Sequence, residues 1–153
     1  MFAFVVRALG GDEIIEDALT SLPFGDNGVI LFIIFCVFLL GFFLDWIEIT
    51  FIILPLIAPV VSAMDLNING YGVVDKPVLV WFVILIAVTL QTSFLTPPVG
   101  YALFYIKGIS PPDVDMKHIY KGIIPFVILQ LFAIYLVFKW PALATWLPAY
   151  VYG

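Results

Sequence analysis

The chain is predicted to be an all-α integral membrane protein, and three observations carry that prediction. Of its 153 residues, 64% are hydrophobic and only 11% are charged, against about 25% charged in an ordinary soluble domain. The apolar residues gather into several long runs rather than one anchor, which is the pattern of a polytopic membrane segment. The acids sit in short connecting stretches, chiefly 12–17 and 113–115, so the net charge of −5 describes loops and not a face. No basic stripe exists for nucleic acid. The single cysteine, Cys36, lies inside an apolar run; it rules out an internal disulfide framework and reads as a small buried hydrophobe.

Residues 1–9 are apolar but short and carry Arg7 within the run, so they do not make a cleavable leader. They read as the end of a truncated helix. The whole chain, 1–153, is accordingly expected to be one membrane-domain fragment of a longer or split protein. Residues 12–22 place Ile14, Ile15, Ala18, Leu19 and Leu22 on one helical face, with acids opposite. Too short and too charged to span, they are expected to form an interfacial amphipathic helix. A turn at 23–27 follows.

Residues 28–44 and 47–63 are two apolar arms, interrupted by Asp45-Trp46-Ile47-Glu48. Each arm is near the lower limit for crossing about 30 Å of hydrocarbon. One reading is a re-entrant helical hairpin over 27–63, whose broken backbone needs protein or a water-filled cavity to cover it. The other is two ordinary spans joined by a tight polar turn. The residues by themselves leave both open. Residues 64–76, rich in Asn and Gly, form a loop, and Pro77 suits the first turn of the next helix.

Residues 77–106 are predicted to be a discontinuous transmembrane helix. Unbroken, they would run about 45 Å, longer than the core is thick. The polar, breaker-rich stretch 91–100 interrupts them. Thr96 precedes a proline and is biased away from helical dihedrals, and Pro97 and Pro98 lack an N–H. The break is expected near the middle of the bilayer. A charged loop at 107–121 leads into the last span, 119–140, where Pro125 is absorbed as a kink. Trp140, Trp146, Tyr150 and Tyr152 make an interfacial aromatic belt. Lys107, Lys117 and Lys121 place their loop in the cytoplasm; 12–27, 64–76 and 141–153 then fall on the periplasmic side.

The strongest site signal is 91–100. Hydroxyls of Thr92, Ser93 and Thr96 cluster where the backbone must unwind, and unwound carbonyls with hydroxyls suit Na⁺. Broken helices that aim half-helix dipoles at anionic groups mark secondary transporters. The bland alternative is a proline kink whose hydroxyls bond the preceding turn. The second signal is Gly41-Phe42-Phe43-Leu44-Asp45, because an acid between apolar arms costs about 2.5–3.5 kcal/mol on insertion scales. Asp45 is either part of an ion site or an N-cap for the second arm. Glu48 follows it one turn on. His118, in a charged loop, reads as solvated. No nucleophile elbow, phosphate-cradling loop or metal-ligand cluster is evident, and no enzyme is expected. An intramembrane enzyme would need paired groups at depth, where Asp45 and Glu48 have no histidine beside them.

Gly41-Phe42-Phe43-Leu44-Asp45-Trp46-Ile47-Glu48, followed by Leu54-Pro55 and Pro59, resembles a pattern in the large membrane subunit of TRAP-type (tripartite, periplasmic-binding-protein-dependent) transporters, the DctM family. So do the run from Gln91 through Pro97, Pro98 and Gly100 to Tyr105, Gly108, and the run from Ile119 to Phe126. The resemblance covers nearly the whole chain. It implies the C-terminal part of an inverted-repeat, elevator-type transporter in the bacterial inner membrane, and it favours the hairpin over two spans. It also implies Na⁺-driven uptake of organic acids such as C4-dicarboxylates, with a small TRAP membrane subunit and a periplasmic substrate-binding protein as partners. Gly41, Asp45, Thr92, Ser93, Thr96, Pro97 and Gly100 would line a joint Na⁺ and substrate site. No other cofactor is implied. The missing N-terminal repeat would be a further partner, since the site forms between repeats. The alternatives are another Na⁺-coupled dicarboxylate symporter, or a non-transporting membrane remnant or scaffold.

Overall fold

The computed structural model describes residues 5, 8–21, 23–96 and 101–152. Its helices are, in order, α1 Gly11–Thr20, α2 Gly25–Leu40, α3 Trp46–Ala63, α4 Pro77–Leu95, α5 Tyr101–Ile109, α6 Met116–Lys139 and α7 Ala142–Tyr152. No strand occurs among the described residues. α3, α4 and α6 are long and apolar enough to cross a membrane, whereas α2 is apolar but shorter. The predicted all-α membrane class is therefore what the chain adopts.

α4 is the interior helix. Pro77 opens it where a missing N–H is harmless. Trp81, Phe82, Leu85, Ile86, Thr89, Leu90, Thr92 and Ser93 are all buried, a stripe wide enough to take neighbours on several sides. α2, α3, α6 and α7 pack against it. Ile30, Ile33 and Val37 of α2, Ile49, Val60 and Val61 of α3 and Ala144 of α7 share one core with the α4 side chains. α6 lies outside, with only Ile119 and Ile123 buried; they join Leu103 of α5 and Leu95 in a second, smaller cluster.

α2 and α3 are the arms of a U. Asn27, at the start of α2, and Asp65, just beyond α3, line one cavity, so the two open ends lie together. The closed end, 41–45, is tightly wound: Phe42 and Phe43 N–H groups donate to Leu39 and Leu40 carbonyls at 3.2 and 2.9 Å. α3 is not uniform. Ile49–Ile53 widens to π geometry just before Pro55, whose ring cannot sit against the carbonyl four residues back. Thr50 Oγ1 donates to the Trp46 carbonyl at 2.7 Å within that widened turn.

Several expectations are corrected. In α1, Leu19 is buried with Ile15 packed beside it, while Ile14 is exposed. Leu22 lies outside the described residues. α5 continues to Ile109 and α6 begins at Met116, which shrinks the expected charged loop to 110–115. His118 is exposed but not idle: its Nδ1 accepts the Asp115 N–H at 3.3 Å and caps α6. Residues 142–152, read only as an aromatic belt, form α7 and bury Ala144 and Thr145, while Trp146 and Tyr150 stack outward at 5.5 Å. The break after α4 also divides its segment unevenly. α4 has 19 residues and is about 28 Å long, whereas α5 has 9.

One bond ties α6 to α4. The helix acceptor Val137 would normally be met by residue 141, but Pro141 has no N–H. Trp81 Nε1 donates to that carbonyl instead, at 2.7 Å, with its ring tilted against Phe138 at 5.8 Å. Trp81→Phe keeps the ring and removes the donor. It is expected to cost about 1–3 kcal/mol, the range for stranding a buried polar group. Thermal unfolding of the intact large subunit in detergent measures this, and an unchanged midpoint would mean the carbonyl finds another partner.

Candidate functional site

Two polar interruptions far apart in sequence meet in space. Gly41 is buried at the closed end of the U, and its N–H donates to Val37 at 2.9 Å. A Cβ built on it would lie 2.3 Å from Ser93 Oγ and 2.9 Å from Ser93 Cβ, inside any allowed contact. The position therefore requires glycine because α4 approaches so closely, not because of its dihedrals, which are right-handed helical. α2 and α4 start at the same end of the bundle. Gly41 is about 21 Å along from Asn27 and Ser93 about 18 Å from Trp81, so tip and break reach the same depth.

Thr96 is extended, with φ −91° and ψ 130°, and ends α4. This is the conformation that a following proline favours. The next described helix starts at Tyr101. Pro97 and Gly100, both expected at the site, lie outside the described residues.

Each hydroxyl near the break donates to a carbonyl of the preceding turn. Thr92 Oγ1 bonds Val88, Ser93 Oγ bonds Leu90 and Thr96 Oγ1 bonds Thr92, at 2.7, 2.8 and 2.7 Å. Thr89, which the motif reading passed over, does the same to Leu85 at 2.7 Å. These are the bonds of the bland reading. They also fix what the oxygens can still do. A hydroxyl has one proton and two lone pairs, so with the proton committed it faces its surroundings as an acceptor only. Thr92 and Ser93 are fully buried. The arrangement offers electron pairs to a cation or an N–H donor, and no proton to a substrate.

Asp45 does not reach this cluster by any hydrogen bond among the described residues. It is exposed and extended, and its Oδ1 accepts the Trp46 N–H at 2.7 Å. It thus caps α3, one of its two expected roles. Glu48 is exposed on the next turn. Beyond the tip, a cavity of about 420 Å³ opens between α3 and α4, with Trp46, Thr50, Gln91 and Phe94 in its wall. Thr50 was invisible to motif reading; the nearest signal was Pro55, which forces the π turn that carries it. Among the described residues no group of three or more His, Cys, Asp or Glu gathers to hold a metal. Among the described residues, hydroxyl and carbonyl oxygens are the hard ligands near the break.

The profile of the family described as "Tripartite ATP-independent periplasmic transporter, DctM component" matches residues 1–143. The chain belongs to the DctM family. Among its relatives are a sialic acid TRAP transporter permease protein, SiaT, of Haemophilus influenzae (strain 86-028NP), 28% identical over 71% of this chain and 16% of that protein. A putative TRAP transporter large permease protein of H. influenzae Rd is 30% identical over 76% of this chain and 26% of its own length. The C4-dicarboxylate TRAP transporter large permease protein DctM of Vibrio cholerae is 23% identical over 92% of this chain and 28% of its own length. The chain thus spans less than a third of these relatives. No solved structure matches it. The assignment to DctM sets aside an unrelated dicarboxylate symporter, and a transporter permease family is not an enzyme family.

Gly41 and Ser93 should behave as one unit. Gly41→Ala is expected to destabilise by about 1–3 kcal/mol through overpacking, and Ser93→Gly introduced with it to recover at least about 1 kcal/mol. A double-mutant cycle on the melting of the intact subunit reads the coupling; additive effects would mean the two positions are not in contact.

Proposed function

We propose that this chain is part of the large transmembrane subunit of a TRAP-type secondary transporter that takes up an organic acid with a Na⁺ gradient. A small membrane subunit braces it, a periplasmic binding protein delivers the substrate, and the other repeat of the large subunit completes the site in the bacterial inner membrane. The observation that carries this reading is the Gly41–Ser93 approach, which joins the tip of the U to the end of the broken helix. Such joints of broken helices are where secondary transporters bind substrate and coupling ion. The U is re-entrant in this reading, since a tip about 21 Å from its open end stops short of a core about 30 Å thick. Lone pairs of Thr92, Ser93 and Thr96, with carbonyls freed at the break, are the Na⁺ ligands. The printed names of two relatives, sialic acid and C4-dicarboxylate, share acid chemistry, which supports an organic acid as the substrate class.

The deciding experiment is uptake of a panel of organic acids into vesicles by the complete system, with and without a Na⁺ gradient. Uptake that needs Na⁺, the binding protein and the small subunit together supports the reading; uptake indifferent to Na⁺ removes the coupling ion from it. Thr96→Val is expected to raise the Na⁺ concentration for half-maximal uptake on the order of tenfold, about 1.4 kcal/mol of lost ligand energy, with membrane insertion unchanged. An unaltered Na⁺ response would take Thr96 out of the site. Asp45→Asn should impair uptake more than Glu48→Gln, since Asp45 sits at the tip; equal, mild effects would leave Asp45 as a cap alone.

A further inference from the structure

At the open end of the U lies a cavity of about 440 Å³ that the transport site does not use. Its size is that of a small-ligand pocket. Asn27 of α2, Asp65 and Asn67 beyond α3, Trp81 of α4 and Lys139 at the end of α6 line it. The lysine rule placed these segments on one membrane side, and here they share one wall. Trp140 adjoins Lys139 and is half exposed, as expected at headgroup level.

Asp65 and Lys139 face this cavity with opposite charges, yet neither side chain makes an ion pair or hydrogen bond among the described residues. A cation and an anion held apart across one cavity complement a ligand carrying both signs. Deeper along the same two helices lies a second, dry groove of about 380 Å³, walled by Leu31, Ile34 and Phe38 of α2 and by Leu131 and Ile134 of α6. Its floor is Thr89, whose hydroxyl is already spent on Leu85. At the helical rise, Leu31 and Ile134 lie about 6–8 Å, and Phe38 and Leu131 about 12–16 Å, inward of Asn27 and Lys139. A polar, doubly charged pocket with an apolar groove deeper along the same two helices matches the polarity of a phospholipid, head outward and chain inward.

We propose that the Asp65–Lys139 cavity binds the headgroup of a zwitterionic aminophospholipid of the phosphoethanolamine type, with one acyl chain in the α2–α6 groove. Lys139, with the amides of Asn27 and Asn67, takes the phosphate through charge-assisted hydrogen bonds. Asp65 accepts from the primary ammonium. A glycerol headgroup offers Asp65 hydroxyl donors but no positive charge, and a quaternary choline offers it a positive charge but no N–H. The site therefore selects phosphatidylethanolamine over phosphatidylglycerol and phosphatidylcholine. This does not depend on the transport reading, because it uses none of the residues at the tip or break.

Native mass spectrometry of the delipidated, intact large subunit tests it, with phosphatidylethanolamine, phosphatidylglycerol and phosphatidylcholine added in turn. The expected result is one retained phosphatidylethanolamine, preferred on the order of tenfold, as loss of one charge-assisted contact implies. Asp65→Asn should erase that preference while phospholipid is still retained. Lys139→Gln should lower retention of all three lipids, and Ile134→Trp, which fills the groove, should lower phosphatidylethanolamine. Equal retention of the three lipids by the unaltered protein would overturn the proposal. So would unchanged retention in both Asp65→Asn and Ile134→Trp, which would leave the groove to another protein segment. Displacement of the lipid by free glycerophosphoethanolamine at matched concentration would also overturn it, since the site would then be a soluble-ligand pocket.

Discussion

Hydrocarbon offers no partner to a backbone N–H or carbonyl, so a membrane chain must cover every place where it leaves the helix. This chain leaves regular helix repeatedly, and much of its architecture answers that constraint. At the closed end of the U, tight turns return the N–H groups of residues 41–44 to α2 carbonyls, and Asp45 caps the Trp46 N–H. Ahead of Pro55 the helix widens and Thr50 takes up the Trp46 carbonyl. Where Pro141 strands Val137, an indole from another helix fills the gap. Each interruption comes with its own local or tertiary cover, which allows them to sit on apolar helices.

The same constraint shapes the site. α4 can stop at Thr96 because the Thr96 hydroxyl and N–H donate to the Thr92 and Ser93 carbonyls, and because the buried tip of the U lies against Ser93. Covering the break from the side brings glycine backbone and hydroxyl oxygens into one small volume. Chemistry at the break is thus a consequence of how the break is tolerated. The hydroxyl protons are committed inward, so the free valence there is a lone pair, which favours cation binding over acid–base work.

Much of the fold was legible because membrane helices announce themselves by run length. α3, α4 and α6 follow from apolar stretches bounded by polar ones, and the end of α4 follows from Thr96 preceding a proline pair. The capping role of Asp45 was one of two readings that local sequence allowed. What was not legible depends on tertiary contact. Nothing in the spacing of Gly41 and Ser93 says that they touch. Ile14 has the periodicity of an apolar face yet is exposed, and α7 hides in an aromatic-rich tail whose Ala144 and Thr145 are buried where it packs on α4 and α6.

The closed end of the U meets α4 through packing. Among the described residues, the hydrogen bonds of residues 41–45 run within the U, to Val37, Leu39, Leu40, Trp46 and Ile49. Its grip on α4 at Ser93 is van der Waals contact, and Ser93 spends its hydroxyl on Leu90. Individual contacts of that kind contribute about 0.1–0.2 kcal/mol per atom pair. The open end is packed through Ile30, Ile33, Val60 and Val61 into the main core, where separation would expose several buried side chains at once. Val37 and Ile49, which flank the closed end, belong to that same core, with Leu40 and Leu44 packed against it, so apolar packing holds the U along its whole length. Separating tip from break would leave the hydrogen bonds of the tip intact and would uncover Thr92 and Ser93, whose cover is therefore packing and not a polar latch.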